Sequence, residues 1–282
     1  MNRHLRCILL AGGFVALFSQ IVFADSLWLG NDSFVEANAT LYQVDTSGTV
    51  LRSFPNSSMT GVAIDPNTSS IYLSAPSLSG TSTIYRYDLN AMTNGVQPSP
   101  NGTVPGSHPY EDMAFNPADP NHLWRANYYN HTYDYIDLTT GSATQVLSPL
   151  GAAGTPMGMA WDGTQFWVSD EQSHNIYTMT TLGVFSAPVF NTGFQTGGVA
   201  WDTTDGTLWI GGYNFVHHFT TGGIELGKFA APTGNFVDGL EFQAAVPEPG
   251  SIALLLTTVS PLGFGFHRKL QAAVHTDPPR TN

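Results

Sequence analysis

The segment Gly158-Met-Ala-Trp-Asp162 recurs 40 residues later as Gly198-Val-Ala-Trp-Asp202. Related segments begin at Gly61, Asp112 and Gly239, so successive copies start 51, 46, 40 and 41 residues apart. Each copy is a short apolar strand that ends on Asp, Asn or Gln. Self-similarity at a nearly fixed period is typical of folds that repeat one supersecondary unit.

Further strands follow each complete copy of the segment. In the copy that starts at Gly158 they are the aromatic strand Phe166-Trp167-Val168 and the strand Ile176-Tyr177-Thr178-Met179. A glycine-containing turn then leads to a fourth strand. About four strands in 40 to 50 residues indicate a β-propeller blade. We therefore predict an all-β propeller with five blades, and with six if the two longer spacings hold extra strands.

The two ends of the repeat region complement each other. Leu27-Trp28-Leu29, Leu41–Val44 and Val50–Phe54 match the second, third and fourth strands of a blade. The last copy, Gly239–Gln243, matches only the first strand. Pairing of these N- and C-terminal strands would complete one blade, close the ring and remove exposed sheet edges.

This blade pattern resembles that of the NHL and YWTD-like propellers, and more loosely that of the streptogramin-lyase and gluconolactonase group. The resemblance covers residues 25–245 and implies the fold. None of the catalytic residues of those enzymes can be placed on this sequence.

The N-terminus has the features of a signal peptide. Arg3 and Arg6 precede an apolar stretch, and Val22-Phe23-Ala24 forms a small-residue cleavage site, so residues 1–24 would be removed. The single cysteine, Cys7, lies in this segment. The mature chain would therefore contain neither a disulfide nor a thiolate site.

The C-terminus contains three elements in a fixed order. Val246-Pro-Glu-Pro-Gly250 is followed by the uncharged apolar segment 251–266 and by His267-Arg-Lys269, and a polar tail occupies 270–282. This order resembles the PEP-CTERM sorting signal of Gram-negative bacteria, which an exosortase recognises and processes.

The resemblance places a sorting signal at 246–269. It implies that Pro247, Glu248 and Pro249 form the sorting motif, and that 251–266 is a transmembrane segment before processing. It also implies export to the cell envelope, the outer surface or the extracellular matrix, with an exosortase as a partner.

The region 25–245 is strongly acidic. It has 19 acidic residues and 4 basic residues, which gives a net charge of −15 with histidine neutral. Such a chain repels phosphate backbones, which excludes nucleic acid as a partner. It favours cations and cation-bridged association with matrix polymers.

Most of the tryptophans have structural positions in the repeat. Trp124, Trp167 and Trp209 occupy the same strand position in successive blades, which predicts packing between blades. Trp161 and Trp201, at the end of the first strand, are also interpreted as core. The tyrosines in the loops after the second strands are better candidates for ligand contact.

In a propeller, the loops that enter first strands and those that leave second strands meet at one face. This predicts ligand contacts from two aromatic and four polar residues: Asn31, Asp32, Asn127, Tyr128, Tyr213 and Asn214. Carboxylates in the same loops would suit a hard cation such as calcium. The candidate metal ligands are Glu111, Asp170 and Asp238.

Two other sets of potential metal ligands are not interpreted as metal sites. His217 and His218 are neighbours in a third strand, where their side chains point to opposite faces and cannot chelate one ion together. Asp202-Thr-Thr-Asp205-Gly206 lacks the later bidentate glutamate of a calcium loop and is interpreted as a hairpin turn.

Two functions agree with these features. The first is a non-enzymatic exported module that binds polysaccharide or a surface protein. The alternative is a secreted lyase or lactonase that uses a divalent cation at the channel mouth. Three or more oxygens within metal-ligand distance would favour the enzyme, whereas a mouth lined by Tyr and Asn would favour binding.

Overall fold

The computed structural model describes residues 25–244, except for 32–39, 56–58, 76–81, 94 and 109–110. The predicted signal peptide, sorting motif and transmembrane segment, the polar tail and Asp32 lie outside the described residues. In the part of the chain that is described, no helix is long and apolar enough to cross a membrane.

The described strands form five four-stranded antiparallel sheets, each running from an inner to an outer strand. In that order, blade 1 contains β20 (Gly239–Gln243), β1 (Ser26–Gly30), β2 (Thr40–Asp45) and β3 (Val50–Pro55). Blade 2 contains β4 (Gly61–Asp65), β5 (Ser70–Ala75), β6 (Ser82–Asp88) and β7 (Gly102–His108). Blade 3 contains β8 (Met113–Ala114), β9 (His122–Asn127), β10 (Thr132–Asp137) and β11 (Ala143–Leu147).

The last two blades are the most regular in sequence. Blade 4 contains β12 (Pro156–Trp161), β13 (Phe166–Asp170), β14 (Asn175–Met179) and β15 (Phe190–Asn191). Blade 5 contains β16 (Val199–Asp202), β17 (Thr207–Gly211), β18 (Phe215–Phe219) and β19 (Glu225–Ala230). Short 3-10 turns occur at Leu89–Ala91 and Gly151–Ala153. The all-β propeller with five blades is therefore confirmed.

Blade 1 is built from both ends of the propeller. Strand β20 pairs with β1 in a continuous register from Ser26 opposite Gln243 to Gly30 opposite Gly239. The Trp28 indole N–H also donates to the Gln243 side-chain oxygen at 2.8 Å. The predicted closure by the terminal strands is confirmed.

The tryptophans of the second strands pack between blades, as predicted. Trp209 of blade 5 belongs to a buried cluster with Leu27 and Leu240 of blade 1. Trp167 of blade 4 is similarly buried with apolar residues of blade 5. Trp201 is only half-buried, and its ring lies parallel to that of Trp167 with centroids 6.3 Å apart.

The inner strands approach one another too closely for side chains at the first position of the repeat. A Cβ atom on Gly61 would lie 2.2 Å from the Glu111 carbonyl oxygen, and one on Gly158 would lie 2.4 Å from the Gly197 carbonyl oxygen. The repeat therefore uses glycine at this position. Asp112 is the exception.

The Asp112 side chain connects four blades. Its fully buried carboxyl accepts backbone N–H groups of Met159 at 3.3 Å, Val199 at 3.0 Å and Leu240 at 3.2 Å, from blades 4, 5 and 1. Inner strands pair on one side only, so these N–H groups have no strand partner. Burial raises the pKa of Asp112 well above its ordinary value, although the hydrogen bonds act in the opposite direction.

Glu241 supplies a second buried carboxyl in the inner strands. It accepts the backbone N–H groups of Phe242, at 3.1 Å, and of Ile64 in blade 2. Protein atoms surround the carboxyl and raise its pKa to about 8, while other parts of the residue remain accessible to water. Together the two carboxyls accept N–H groups from every blade: Leu240 and Phe242, Ile64, Met113, Met159 and Val199.

A shortened chain tests the closure of blade 1. A chain of residues 25–238 lacks β20, which leaves β1 and the rest of the apolar cluster that contains Leu240 exposed. We expect the free energy of unfolding to fall by several kcal/mol, on the order of 3–5, because burial and ladder hydrogen bonds are lost. Urea denaturation of the two chains measures the difference. Equal unfolding midpoints would show that closure contributes little.

The raised pKa of Glu241 predicts that the free energy of unfolding depends on pH. Unfolding returns the carboxyl to its ordinary pKa of 4.5, so between about pH 4.5 and 8 the unfolded chain releases a proton that the folded chain retains. The free energy of unfolding should therefore fall as pH rises through this window. Buried Asp112 acts in the same direction.

The matched variant is Glu241→Gln, which cannot ionise. Between pH 5 and pH 8, the free energy of unfolding should fall more in the wild type than in this variant, and the difference between the two falls should be up to about 4 kcal/mol. His217, whose pKa is lowered by burial, opposes the trend but is present in both proteins and cancels. Urea unfolding at the two pH values is the measurement, and parallel pH profiles would contradict the raised pKa.

Candidate functional site

A cavity of about 350 Å³ opens where loops of blades 3, 4, 5 and 1 meet. It is lined both by residues that precede inner strands and by residues that follow second strands. The lining residues are Glu111, Tyr128, Tyr129, Met157, Glu171, Gln195, Tyr213, Phe236 and Asp238. Its size is within the usual range for small-molecule sites.

The cavity has an acidic lining. Glu111, Glu171 and Asp238 contribute carboxyl groups, and no Lys, Arg or His is among the described residues that line it. Burial raises the pKa of Glu171, and the neighbouring Asp170 adds to this effect, while the Gln195 amide donates a hydrogen bond to Glu171. The pKa of Tyr128 is also raised, first by burial and then by Glu171 and Glu111.

Three tyrosines give the cavity exposed aromatic surface. Tyr128 is 38% exposed, Tyr129 53% and Tyr213 62%. The rings of Tyr128 and Tyr129 lie 5.5 Å apart with an angle of 73° between their planes, which is an edge-to-face contact. Tyr213 belongs to blade 5, where its backbone bridges to Phe236.

A shared turn positions the loops of blades 3 and 4. The residue that ends the second strand accepts the backbone N–H three residues later: Asn127 from Asn130 at 3.1 Å, and Asp170 from Ser173 at 2.9 Å. A left-handed histidine follows in each case, His131 with φ 57° and His174 with φ 58°. Side-chain acceptors of this kind replace backbone partners in tight turns. The residues directly after Asn127 and Asp170 are Tyr128 and Glu171, and both line the cavity.

The predicted ligand contacts divide into two groups. Tyr128 and Tyr213 line the cavity. Asn127 is fully buried and donates to Asp134 at 2.8 Å, and Asn214 has a left-handed φ of 66° beside Tyr213. Asn31 is 2% exposed and does not line the cavity, and its side-chain oxygen has no hydrogen-bond partner among the residues that the structure describes.

The predicted metal ligands are only partly brought together. Glu111 and Asp238 line the same cavity, whereas the buried Asp170 carboxyl accepts N–H groups of Thr155 at 2.6 Å and Ser173 at 2.9 Å. Glu171 belongs to the same polar loops in the sequence but is not among the predicted ligands, and it takes the place beside the cavity. Aligning Asn127-Tyr-Tyr-Asn-His131 with Asp170-Glu-Gln-Ser-His174 would have identified it as the counterpart of Tyr128.

A different group has the spacing of a metal site. Among the described residues, Asp202, Asp205 and His218 offer three ligand atoms within 4.8 Å of one another. They lie beside the turn between β16 and β17, at the opposite end of the strands from the cavity. Their present partners are protein groups: Asp202 accepts the Trp209 indole N–H at 3.2 Å, and His218 bonds to Thr207 at 2.6 Å.

The sequence places Asp202 and Asp205 in one turn but did not connect them with His218, which lies in β18. Gly206 donates its N–H to the Asp202 carbonyl at 3.0 Å, which confirms the predicted hairpin turn. The pairing of Trp209 with His218 then brings the histidine to that turn. The two adjacent histidines do face opposite ways, since His217 stacks on Phe194 and His218 on Trp209.

Two solved structures that are similar to this chain are distant from it in sequence. The chain is similar to one in a crystal structure of a nidogen/laminin complex, with a TM-score of 0.52 and 11% identity over 78% of this chain and 98% of that one. A second similar structure is the virginiamycin B lyase of Staphylococcus aureus, with a TM-score of 0.42 and 16% identity over 73% of this chain and 67% of that one.

No protein-family model matches this sequence, and no curated protein matches it. At 11% identity, the likeness to the chain of the nidogen/laminin complex shows the propeller fold and nothing about a ligand.

The hydrogen bonds of Asp170 in this turn predict how much its substitution should destabilise the protein. Asp170→Ala leaves one buried N–H group, of Thr155, and one part-buried N–H group, of Ser173, without an acceptor, and it should cost roughly 2–4 kcal/mol of unfolding free energy. Asp170→Asn retains one oxygen, as Asn127 does in blade 3, and should cost about half as much. The control is Glu171→Ala, which should cost less than about 1 kcal/mol. Denaturant unfolding at pH 7 compares the three, and equal losses would contradict the assigned roles.

Proposed function

We propose that this protein is an exported propeller, sorted by an exosortase to the cell envelope or extracellular matrix, that binds polysaccharide or a surface protein. The observation that carries the proposal is the cavity over the inner strands, where three exposed tyrosines meet three carboxyls. Export and sorting rest on the sequences of the two chain ends.

The aromatic lining supports a binding role. Tyrosine offers a large flat face at small cost in side-chain entropy, and its hydroxyl can bond to a polar ligand at the same time. Such faces suit the stacking of a pyranose ring or the capture of a protein side chain. Tyr128, Tyr129 and Tyr213 are available for this, since each is more than a third exposed.

The placement of the acidic groups also supports binding over metal-assisted catalysis. Metal-ion catalysis needs several oxygen ligands around one ion. Among the described residues, Glu111, Glu171 and Asp238 do not bring three ligand atoms within 4.8 Å of one another. The Asp170 carboxyl is used by its own turn.

A binding assay with cavity variants tests the proposal. Purified protein is titrated with matrix polysaccharide fractions and with surface proteins of the producing bacterium. Tyr128→Ala and Tyr213→Ala should each weaken binding at least about tenfold, because aromatic anchors carry much of the energy of an interface. Leu182→Ala is the control, since Leu182 is 86% exposed and lies away from the cavity. Equal affinity of all four proteins would reject the cavity as the binding site.

A further inference from the structure

The charge of the cavity restricts its ligand. Three carboxyls from three blades line it, and none of the described lining residues is cationic. Arg125 is close enough to Glu111 for electrostatic attraction, but it is buried, bonds to Asp134 and does not line the cavity. The lining is therefore net negative, which disfavours uronic acids, sulfated sugars and phosphates and favours a cation.

The spacing of the carboxyls favours an organic cation over a bare metal ion. A calcium ion binds its oxygen ligands at about 2.3–2.6 Å, so they must converge on one point. The three carboxyls are spread around a cavity of about 350 Å³ and do not form such a cluster. A ligand that carries its charge on a larger polar body can reach separated acceptors.

The exposed tyrosines supply independent support. Tyr128, Tyr129 and Tyr213 line the same cavity as the carboxyls, and each is more than a third exposed. Aromatic rings attract ammonium groups through the negative potential of their faces, and aromatic side chains are a common way to recognise them. Exposed tyrosines next to carboxylates therefore combine both kinds of ammonium recognition.

We propose that the cavity binds the protonated amino group of an amino sugar within a polysaccharide. This assignment rests on the proposed binding function and specifies its ligand class. A hexosamine unit carries one cationic group and several hydroxyl donors around a flat ring. Those donors can approach Glu171, which is half-buried, while a ring face stacks on an exposed tyrosine; Glu111 and Asp238 are buried and add negative charge. A lysine side chain offers donors at one end only and has no ring to stack on a tyrosine face.

The test compares oligosaccharides of equal length and linkage. Calorimetry on the purified protein at pH 5.5 and low salt uses a glucosamine oligomer, its N-acetylated form, a glucose oligomer and a lysine-rich peptide. The glucosamine oligomer should bind at least tenfold tighter than each of the others. Its advantage should shrink at 0.5 M salt, because salt screens the ammonium–carboxylate attraction.

Two variants with the same change in charge separate a built site from general attraction to an acidic protein. Glu171→Gln neutralises a cavity carboxyl and should reduce the preference for the glucosamine oligomer at least fivefold. Asp205→Asn neutralises a carboxyl at the opposite end of the strands and should leave it unchanged. Thermal unfolding confirms that both variants are folded. Equal effects of the two variants would overturn the assignment.

The remaining outcomes distinguish this inference from the proposed function. If neutral or N-acetylated sugars bind as tightly and Tyr213→Ala abolishes their binding, the cavity is a glycan site and the ammonium assignment is wrong. Tighter binding of the lysine-rich peptide would replace the amino sugar with a protein partner. If the wild type binds none of these probes, the amino-sugar assignment fails. If it also binds no matrix fraction or surface protein, the proposed function fails as well.

Discussion

The carboxyl of Asp112 is the contact on which the ring depends. Inner strands of a propeller leave N–H groups facing the axis, and a buried N–H without an acceptor is destabilising. Asp112 bonds to three other blades, and Glu241 accepts from a fourth. Glycine at the equivalent positions lets the inner strands come close enough for one side chain to accept N–H groups from several blades.

The same stretch of chain also connects the core to the cavity. Asp112 turns inward to three other blades, whereas Glu111, directly before it, lines the cavity. In the loops after second strands the roles alternate in the same way. Asn127 and Asp170 hold their turns, and Tyr128 and Glu171 beside them line the cavity. The cavity lining is thus formed by neighbours of structural residues, which fixes its geometry.

This chain's own side chains indicate which class of ligand the cavity would accept. The likeness to a chain of a laminin complex establishes the propeller and does not identify a ligand. The class of ligand is limited by three properties of the cavity: its charge, its exposed tyrosine rings and the separation of its carboxyls. These three properties favour a polar, cationic ligand with several donors over an anionic polymer or a bare metal ion.

The sequence by itself determined the propeller fold, the strand order within a blade and the closure of the ring, because each depends on a local pattern repeated at a nearly fixed period. It favoured five blades but left six open, since two of the spacings are long enough to hold extra strands. It also identified Tyr128, Tyr213, Glu111 and Asp238 as loop residues near one face. It could not show that Asp170 is used by its own turn and Glu171 by the cavity, since adjacent polar residues look alike until the turn assigns each a direction. Only the tertiary structure revealed the contacts of Asp112, because its partners come from blades far apart in the chain. It also revealed the Asp202–His218 group, because strand pairing within the blade brings the histidine to the turn that holds the two aspartates.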